Sequence, residues 1–105
     1  MATKVGTKRT MKNEQGVNQV KLVGFIASAI SSRDGKLARR IEIPTAGAKE
    51  VIELICEKDE IFKVFRGLRV NQWVAVEGRI RRQFWRTGAT LASRSYVEVF
   101  RIAPR

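Results

Sequence analysis

Four arginines and two aromatic residues lie within eight consecutive positions, from Arg79 to Arg86. A guanidinium group neutralises phosphates and also stacks on bases, and the flat rings of Phe84 and Trp85 offer surfaces on which unpaired bases stack. In a β-strand, alternation would place Arg79, Arg81 and Trp85 on the same face. The pattern therefore indicates a surface that binds single-stranded nucleic acid. The alternative is a solvated edge strand whose charge opposes aggregation.

Residues suited to catalysis or metal binding are scarce. The sequence has no histidine and one cysteine, so the usual general base and the commonest metal ligand are missing. Cys56 ends an apolar run that begins at Val51, a setting that predicts a small buried side chain rather than a nucleophile. A zinc site would have to rest on one cysteine and carboxylates, against the preference of zinc for several Cys or His ligands. We expect no catalytic residues, no metal site, no cofactor and no enzymatic activity.

The balance of charge favours a polyanionic partner. The 105 residues include 21 Lys and Arg but only 10 Asp and Glu, for a net charge of +11 and a pI of about 10.9. Most of the acidic residues fall within residues 41–60, between two strongly basic blocks. This distribution is expected if one surface follows a phosphate backbone.

The sequence also bears on location. It contains no run of about 18 apolar residues, so we expect no transmembrane helix and no membrane partner. Residues 1–13 are polar and basic and lack the apolar segment of a signal peptide. A lone cysteine gives no disulfide framework that would argue for secretion. The expected location is the cytoplasm, in association with the nucleoid.

Alternating and β-branched patterns predict five strands, over residues 17–30, 37–43, 50–56, 71–86 and 95–102. Gly24 in the first strand indicates a bulge or tight bend. Asp34-Gly35, in a predicted turn over residues 31–36, is a hairpin signal. Residues 58–68 predict a short helix with Asp59 as its N-cap, one apolar face and Gly67 near its end.

The predicted order β-β-β-α-β-β is that of an OB-fold, an all-β, five-stranded Greek-key barrel with one short helix between strands three and four. Residues 17–105 are expected to form this domain. Residues 1–16 contain basic side chains without sustained periodicity and are predicted to be a flexible basic arm. That arm either adds phosphate contacts or is a disordered leader.

Two short motifs resemble those of bacterial single-stranded DNA-binding proteins. Residues 17–24, VNQVKLVG, resemble the first strand of that family, where a valine-asparagine pair precedes an alternating strand that ends in glycine. Residues 73–81, WVAVEGRIR, resemble its fourth strand, and Trp85 falls where that strand has a base-stacking tryptophan. The helix of the family would match residues 59–68. The resemblance spans residues 17–102 and implies sequence-tolerant, non-enzymatic binding of single-stranded DNA in replication, recombination or repair.

The chain also departs from that family. The third predicted strand lacks the aromatic residues that stack bases in the family, and the second strand lacks its tryptophan. Fewer stacking surfaces imply weaker affinity, a shorter site or greater reliance on charge. The given residues end at Arg105, and we expect the acidic recruitment tail tipped with phenylalanine to be absent. In this the chain resembles the tail-less primosomal replication type of the family.

Residues of two kinds, basic and aromatic, make up the predicted nucleic-acid-binding site: Lys21, Lys36, Arg40, Trp73, Arg79, Arg81, Arg82, Phe84, Trp85, Arg86 and Arg94. The first strand is apolar on both faces, which predicts self-association, and the family implies a homodimer or homotetramer. The sequence does not separate DNA from RNA, because recognition of a 2′-hydroxyl depends on geometry. An RNA-binding OB domain and a protein-assembly module with exposed sheet edges are the alternatives.

Overall fold

Strands dominate the molecule, and one helix interrupts them. The computed structural model describes residues 15–105, apart from the side chain of Arg33. In chain order the elements are β1 (Val20–Ile26), β2 (Ser31–Arg33), β3 (Lys36–Thr45), β4 (Ala48–Cys56), α1 (Asp59–Gly67), β5 (Trp73–Thr87) and β6 (Thr90–Pro104). Of the predicted arm, residues 1–14 lie outside the described residues.

The strands close into a five-stranded barrel. β1 pairs antiparallel with β5 and, at Phe25 and Ile26, with β3. β3 pairs antiparallel with β4, β4 pairs parallel with β6, and β6 returns antiparallel to β5. β2 extends the edge of β3 as a sixth, short strand. The predicted all-β barrel of the OB type is confirmed, with its helix between the β3–β4 and β5–β6 hairpins.

The first strand is shorter than predicted, because the chain leaves the ladder after Ile26. The hydroxyl of Ser28 accepts a hydrogen bond from the backbone N–H of Arg40 at 2.8 Å. The carbonyl of Ser28 accepts two more from the Arg39 guanidinium, at 3.2 and 3.3 Å. These hydrogen bonds, each of which involves a side chain, supply partners for backbone groups of Ser28 and Arg40 where β1 has left the strand ladder. β2 then forms within the segment predicted as a turn.

The predicted Asp34-Gly35 hairpin is confirmed. The φ angle is +55° at Asp34 and +78° at Gly35, so both residues lie in the left-handed region that a two-residue type I′ turn requires. Aspartate and glycine tolerate this region better than most residues do. The turn sets the register of β2 against β3, with Arg33 opposite Lys36.

Helix α1 contributes its apolar face to the barrel core. Phe65 is fully buried, and Ile61 and Leu68 join it in one cluster with side chains from every barrel strand. Cys56 is also fully buried in that cluster, as predicted. The predicted N-cap is wrong by one residue, since Lys58 is the cap and makes no side-chain capping bond. Asp59 begins the helix instead, where its negative charge favours the N-terminal end of the helix dipole.

Two glycines allow the barrel strands to approach closely. A Cβ atom at Gly24 would collide with the carbonyl oxygen of Glu42 on β3, and one at Gly78 would collide with that of Glu98 on β6. The register shift lies between Glu77 and Gly78 on β5, rather than at Gly24. Gly24 therefore permits close backbone approach where β1 meets β3. The irregularity is in the β5–β6 ladder, where Phe100 of β6 is the extra residue.

Arg39 is a buried cation that links the helix to the sheet. It is only 4% exposed, and its Nη1 atom donates to the carbonyl oxygens of Phe65 at 2.9 Å and Leu68 at 2.5 Å. Carbonyls at a helix C-terminus have no partner within the helix. Together with its bonds to Ser28, Arg39 ties the end of α1 to the loop that follows β1.

The far half of the β5–β6 hairpin extends beyond the barrel. The last residue of β5 that pairs with β1 is Gly78, and the residues of β6 that pair with β4 are Val97 and Glu98. Residues 81–96 therefore pair only with each other among the described strands, and we refer to them as the hairpin arm. At its base, the Asn18 amide accepts from the N–H of Ile80 at 2.9 Å and donates to its C=O at 2.8 Å, which extends the ladder by one position.

Candidate nucleic-acid interface

One continuous surface carries six of the predicted residues. Paired residues in a sheet point to the same side, and the registers place outward-facing positions of β3, β4, β6 and β5 next to each other. This surface continues along one side of the hairpin arm, where Trp85 lies opposite Ala92. We refer to the combined surface as the binding face. Its predicted members are Lys36, Arg40, Arg79, Arg81, Trp85 and Arg94.

An apolar floor lies at the centre of the binding face. Ala38, Ile55 and Tyr96 are buried and form a small cluster separate from the barrel core. They come from three adjacent strands, β3, β4 and β6. The cluster shields the sheet backbone beneath it, and the charged side chains stand around it. Sequence reasoning did not select Tyr96, which the strand alternation of β6 places on the same side as Glu98 and Arg94.

A buried carboxylate holds two of the predicted arginines. Oε1 of Glu98 accepts hydrogen bonds from Nε of Arg79 and Nη1 of Arg81, both at 2.9 Å. Burial opposes ionisation of Glu98, but the hydrogen bonds and positive charges of the two arginines outweigh it, so the pKa of Glu98 lies below its ordinary value. Glu98 remains ionised at neutral pH and keeps both guanidinium groups against the sheet.

Other acidic residues pair with predicted cations on the same face. Arg94 lies 3.2 Å from Oε1 of Glu53, and Lys36 lies 3.6 Å from Oε2 of Glu57. These carboxylates lower the net positive charge of the binding face and orient its cations. Sequence reasoning missed them because both pairs depend on strand pairing. Glu53 meets Arg94 through the parallel β4–β6 pairing, and Glu57 meets Lys36 through the antiparallel β3–β4 pairing.

Three predicted residues lie on the opposite side of the hairpin arm. Alternation along β5 directs Arg82, Phe84 and Arg86 away from Trp85. The Arg82 guanidinium lies 5.7 Å from the centre of the Phe84 ring and donates to the Ser93 hydroxyl at 2.6 Å. Phe84 is well exposed. This side of the arm is both cationic and aromatic, but a base stacked on Trp85 would not contact it.

The remaining two predicted residues lie on the outer surface of β1 and β5. Trp73 stands beside Phe25, with ring centroids 5.8 Å apart and planes tilted by 55°. Lys21 lies opposite Glu77 in the β1–β5 register, on the same side. Trp73 and Trp85 are twelve residues apart on β5, which is about 40 Å along a strand. The predicted set is therefore distributed over three surfaces rather than gathered in one groove.

Solved structures of single-stranded DNA-binding proteins have this fold. Mitochondrial Rim1 from S. cerevisiae matches with a TM-score of 0.74 at 14% identity, covering 86% of this chain and 96% of that chain. The Plasmodium falciparum SSB, in complex with ssDNA, matches with a TM-score of 0.73 at 13% identity, covering 89% of this chain and 98% of that chain. The dimeric N-terminal domain of PriB from Thermoanaerobacter tencongensis matches with a TM-score of 0.65 at 21% identity, covering 84% of this chain and 96% of that chain.

At these identities the likeness establishes the fold. It confirms the OB-type barrel that the sequence predicted and its resemblance to the fold of single-stranded DNA-binding proteins. No family model matches the sequence, and neither does any curated protein. Within residues 15–105, no helix has the length and apolar character needed to cross a membrane. The same residues contain no cluster of three His, Cys, Asp or Glu side chains suited to hold a metal ion.

The ion pairs of Glu98 predict a pH-dependent stability. Because the pKa of Glu98 is lower in the folded state, its carboxylate stabilises the fold above the unfolded-state pKa. That contribution is lost as the pH falls through the folded-state pKa. We expect Glu98→Gln to unfold at lower urea concentration than the unsubstituted protein at neutral pH, and the difference to disappear in acid.

Urea unfolding followed by circular dichroism across this pH range measures the effect. Glu50→Gln is the matched control, because Glu50 is exposed on β4 and forms none of the ion pairs found among residues 15–105. A loss of stability in Glu98→Gln that stays constant down to acid pH would show that the carboxylate charge is not what stabilises this site.

Proposed function

We propose that this protein binds single-stranded DNA without catalysing a reaction on it, in replication, recombination or repair at the nucleoid. One observation carries the proposal: Trp85 is 44% exposed on the same side of the hairpin arm as Arg81 and Arg94, continuous with the cationic sheet. An exposed tryptophan flanked by arginines suits stacking of a base between backbone contacts. The fold likeness to single-stranded DNA-binding proteins supports it.

The mechanism divides between two kinds of contact. Arginine and lysine side chains of the binding face neutralise phosphates, which supplies affinity without reading sequence. Trp85 supplies a stacking surface that accepts a base only when it is unpaired, so duplex DNA is disfavoured. Phosphates compete with Glu98 and Glu53 for the arginines that these carboxylates hold. The paired cations therefore contribute less to the affinity for DNA than the same number of free cations would.

Titration of tryptophan fluorescence with oligo(dT) at a series of salt concentrations tests the proposal. We expect quenching that weakens with salt, with a log–log slope of about −3 to −4 if about four to six phosphates are neutralised. Duplex DNA should compete poorly. Equal competition by oligo(rU) would favour the RNA-binding alternative. Absence of quenching and of strand retention at low salt would refute nucleic-acid binding and favour a protein-assembly role.

The outer surface of β1 and β5 is the part of the molecule that we assign to self-association. Val23 and Trp73 are 39% and 46% exposed, and the Phe25 ring lies beside that of Trp73. Lys21 and Glu77 lie opposite each other on the same surface, so a second copy related by a two-fold axis would meet apolar groups inside a rim of both charges. The proposed assembly is a homodimer, which assigns Trp73 to an interface rather than to DNA.

Sedimentation equilibrium of the unsubstituted protein and of Val23→Glu tests this assignment. The first is expected to sediment as a dimer and the second as a folded monomer, because a charge on each copy would be buried in the interface. Val64→Glu is the control, since Val64 is a similarly exposed valine on α1. A tetramer that persists in Val23→Glu would place the interface elsewhere, and so would an unchanged dimer.

A further inference from the structure

A small polar pocket adjoins the binding face, between the Asp34-Gly35 turn and the hairpin arm. Its volume is about 130 Å³, and its floor is formed by Ala38, Ile55 and Tyr96. Asp34 borders it on the side of the turn, and Gln83 borders it on the side of the arm. We propose that this pocket receives one nucleobase of the bound strand and prefers cytosine to thymine. The proposal rests on the proposed binding of single-stranded DNA and adds a base preference to it.

The size of the pocket suits a single ring. A closed apolar cavity of about 150 Å³ is sufficient to bind benzene, and the pocket here is of similar size but open on one side. A pyrimidine can therefore enter with one edge at the opening, and a two-ring purine would extend further out of it. The apolar side chains of Ala38 and Ile55 suit the faces of a flat ring.

Tyr96 supplies an unused hydrogen-bonding group inside the pocket. The residue is only 8% exposed, and its hydroxyl has no hydrogen-bond partner among the described groups of residues 15–105, which leave out the Arg33 side chain. A buried tyrosine hydroxyl is normally hydrogen-bonded. The hydroxyl is not sealed from solvent and its residue lines the pocket, so a bound polar molecule can supply the missing partner.

The polar groups match the edge of cytosine. The Asp34 carboxylate only accepts hydrogen bonds, and cytosine offers it the N4 amino group, a pairing used elsewhere to read this base. The Gln83 amide and the Tyr96 hydroxyl can donate to the N3 and O2 acceptors of the same base. Thymine places its O4 acceptor where cytosine has N4, and that oxygen would face a carboxylate. Apart from Arg33, whose side chain the structure does not describe, no side chain of residues 15–105 pairs with Asp34 or Gln83 and would compete with the base.

The pocket also lies on the path of a strand that contacts Trp85. Gln83 borders a second, more open recess of about 260 Å³ that is lined by Trp85 and Arg94. A base stacked on Trp85 and a base in the pocket would thus be close neighbours along one strand. Lys36 stands at the margin of the pocket, where it can neutralise the phosphate of the nucleotide that enters it.

Competition between oligo(dC) and oligo(dT) of equal length tests the proposal, at mildly alkaline pH where N3 of cytosine is unprotonated. The expected result is a preference for oligo(dC) of about tenfold, the order of discrimination that one well-paired base edge supplies. Asp34→Asn should abolish that preference, because an amide donates to O4 of thymine as readily as it accepts from N4 of cytosine. Asparagine tolerates the left-handed backbone of this turn, so the hairpin is retained.

Two further variants make the result unambiguous. Asp59→Asn removes the same charge at the start of α1 and should leave the ratio of affinities unchanged. Gln83→Leu, at an exposed strand position, should lower the ratio without disturbing the turn. Equal affinities, or a preference for oligo(dT), in a protein that binds both strands would overturn the pocket but leave the proposed function intact. Failure to bind either strand would overturn the proposed function itself.

Discussion

Trp85→Ala is expected to weaken the binding of oligo(dT) by about 5- to 150-fold, the equivalent of the roughly 1–3 kcal/mol that one stacked base contributes. Trp85 stands exposed on the binding face, and the chain carries no aromatic residue on the outward side of β4 to replace it. Loss of its ring therefore removes the principal stacking surface of that face. The charged contacts remain, so the salt dependence should change little.

Fluorescence quenching and a fluorescence-independent assay, such as anisotropy of labelled oligo(dT), measure this effect together. Trp73→Phe is the matched control, since Trp73 lies at the other end of β5 and is assigned to the dimer surface. Phe84→Ala tests the opposite side of the hairpin arm. If Trp85→Ala binds as tightly as the unsubstituted protein while Phe84→Ala loses affinity, the DNA path runs along the other side of the arm.

Arg39→Met is expected to lower the free energy of unfolding by about 3–4 kcal/mol. The substitution would leave carbonyl oxygens of Ser28, Phe65 and Leu68 without the guanidinium that now satisfies them, and each buried, unsatisfied group costs about 1–3 kcal/mol. The total free energy of unfolding of a domain of this size is only about 5–15 kcal/mol. The end of α1 would also lose its connection to the loop after β1.

Urea unfolding gives the free energy directly, and thermal unfolding should show a Tm lower by about 12–30 °C. Arg40→Met is the control, because Arg40 is the next residue and is exposed on the binding face. Arg40→Met should lower the free energy of unfolding by less than about 0.5 kcal/mol but should weaken DNA binding. If Arg39→Met and Arg40→Met lose similar stability, the carbonyl contacts of Arg39 are not what holds the helix in place.

Local patterns were sufficient to predict most of the secondary structure and the face on which Trp85 lies. Strand alternation depends on neighbouring residues alone, so it placed Arg79, Arg81 and Trp85 together. The Asp34-Gly35 turn was predictable because its conformation depends on the two residues that form it. The composition indicated a polyanionic partner, since net charge is independent of fold. The order of elements was specific enough to indicate the OB-type barrel.

The sequence alone determined the elements, the turn and the general chemistry of the surface, whereas only the tertiary structure decided which charged residues are free to act. Arg39 and Arg40 are neighbouring residues of the same type, yet the first is buried under α1 and the second faces outward. Glu98 meets two arginines from β5 only through the register of the β5–β6 hairpin. Such contacts join residues distant in sequence, and local periodicity carries no information about which distant strands will pair or in what register.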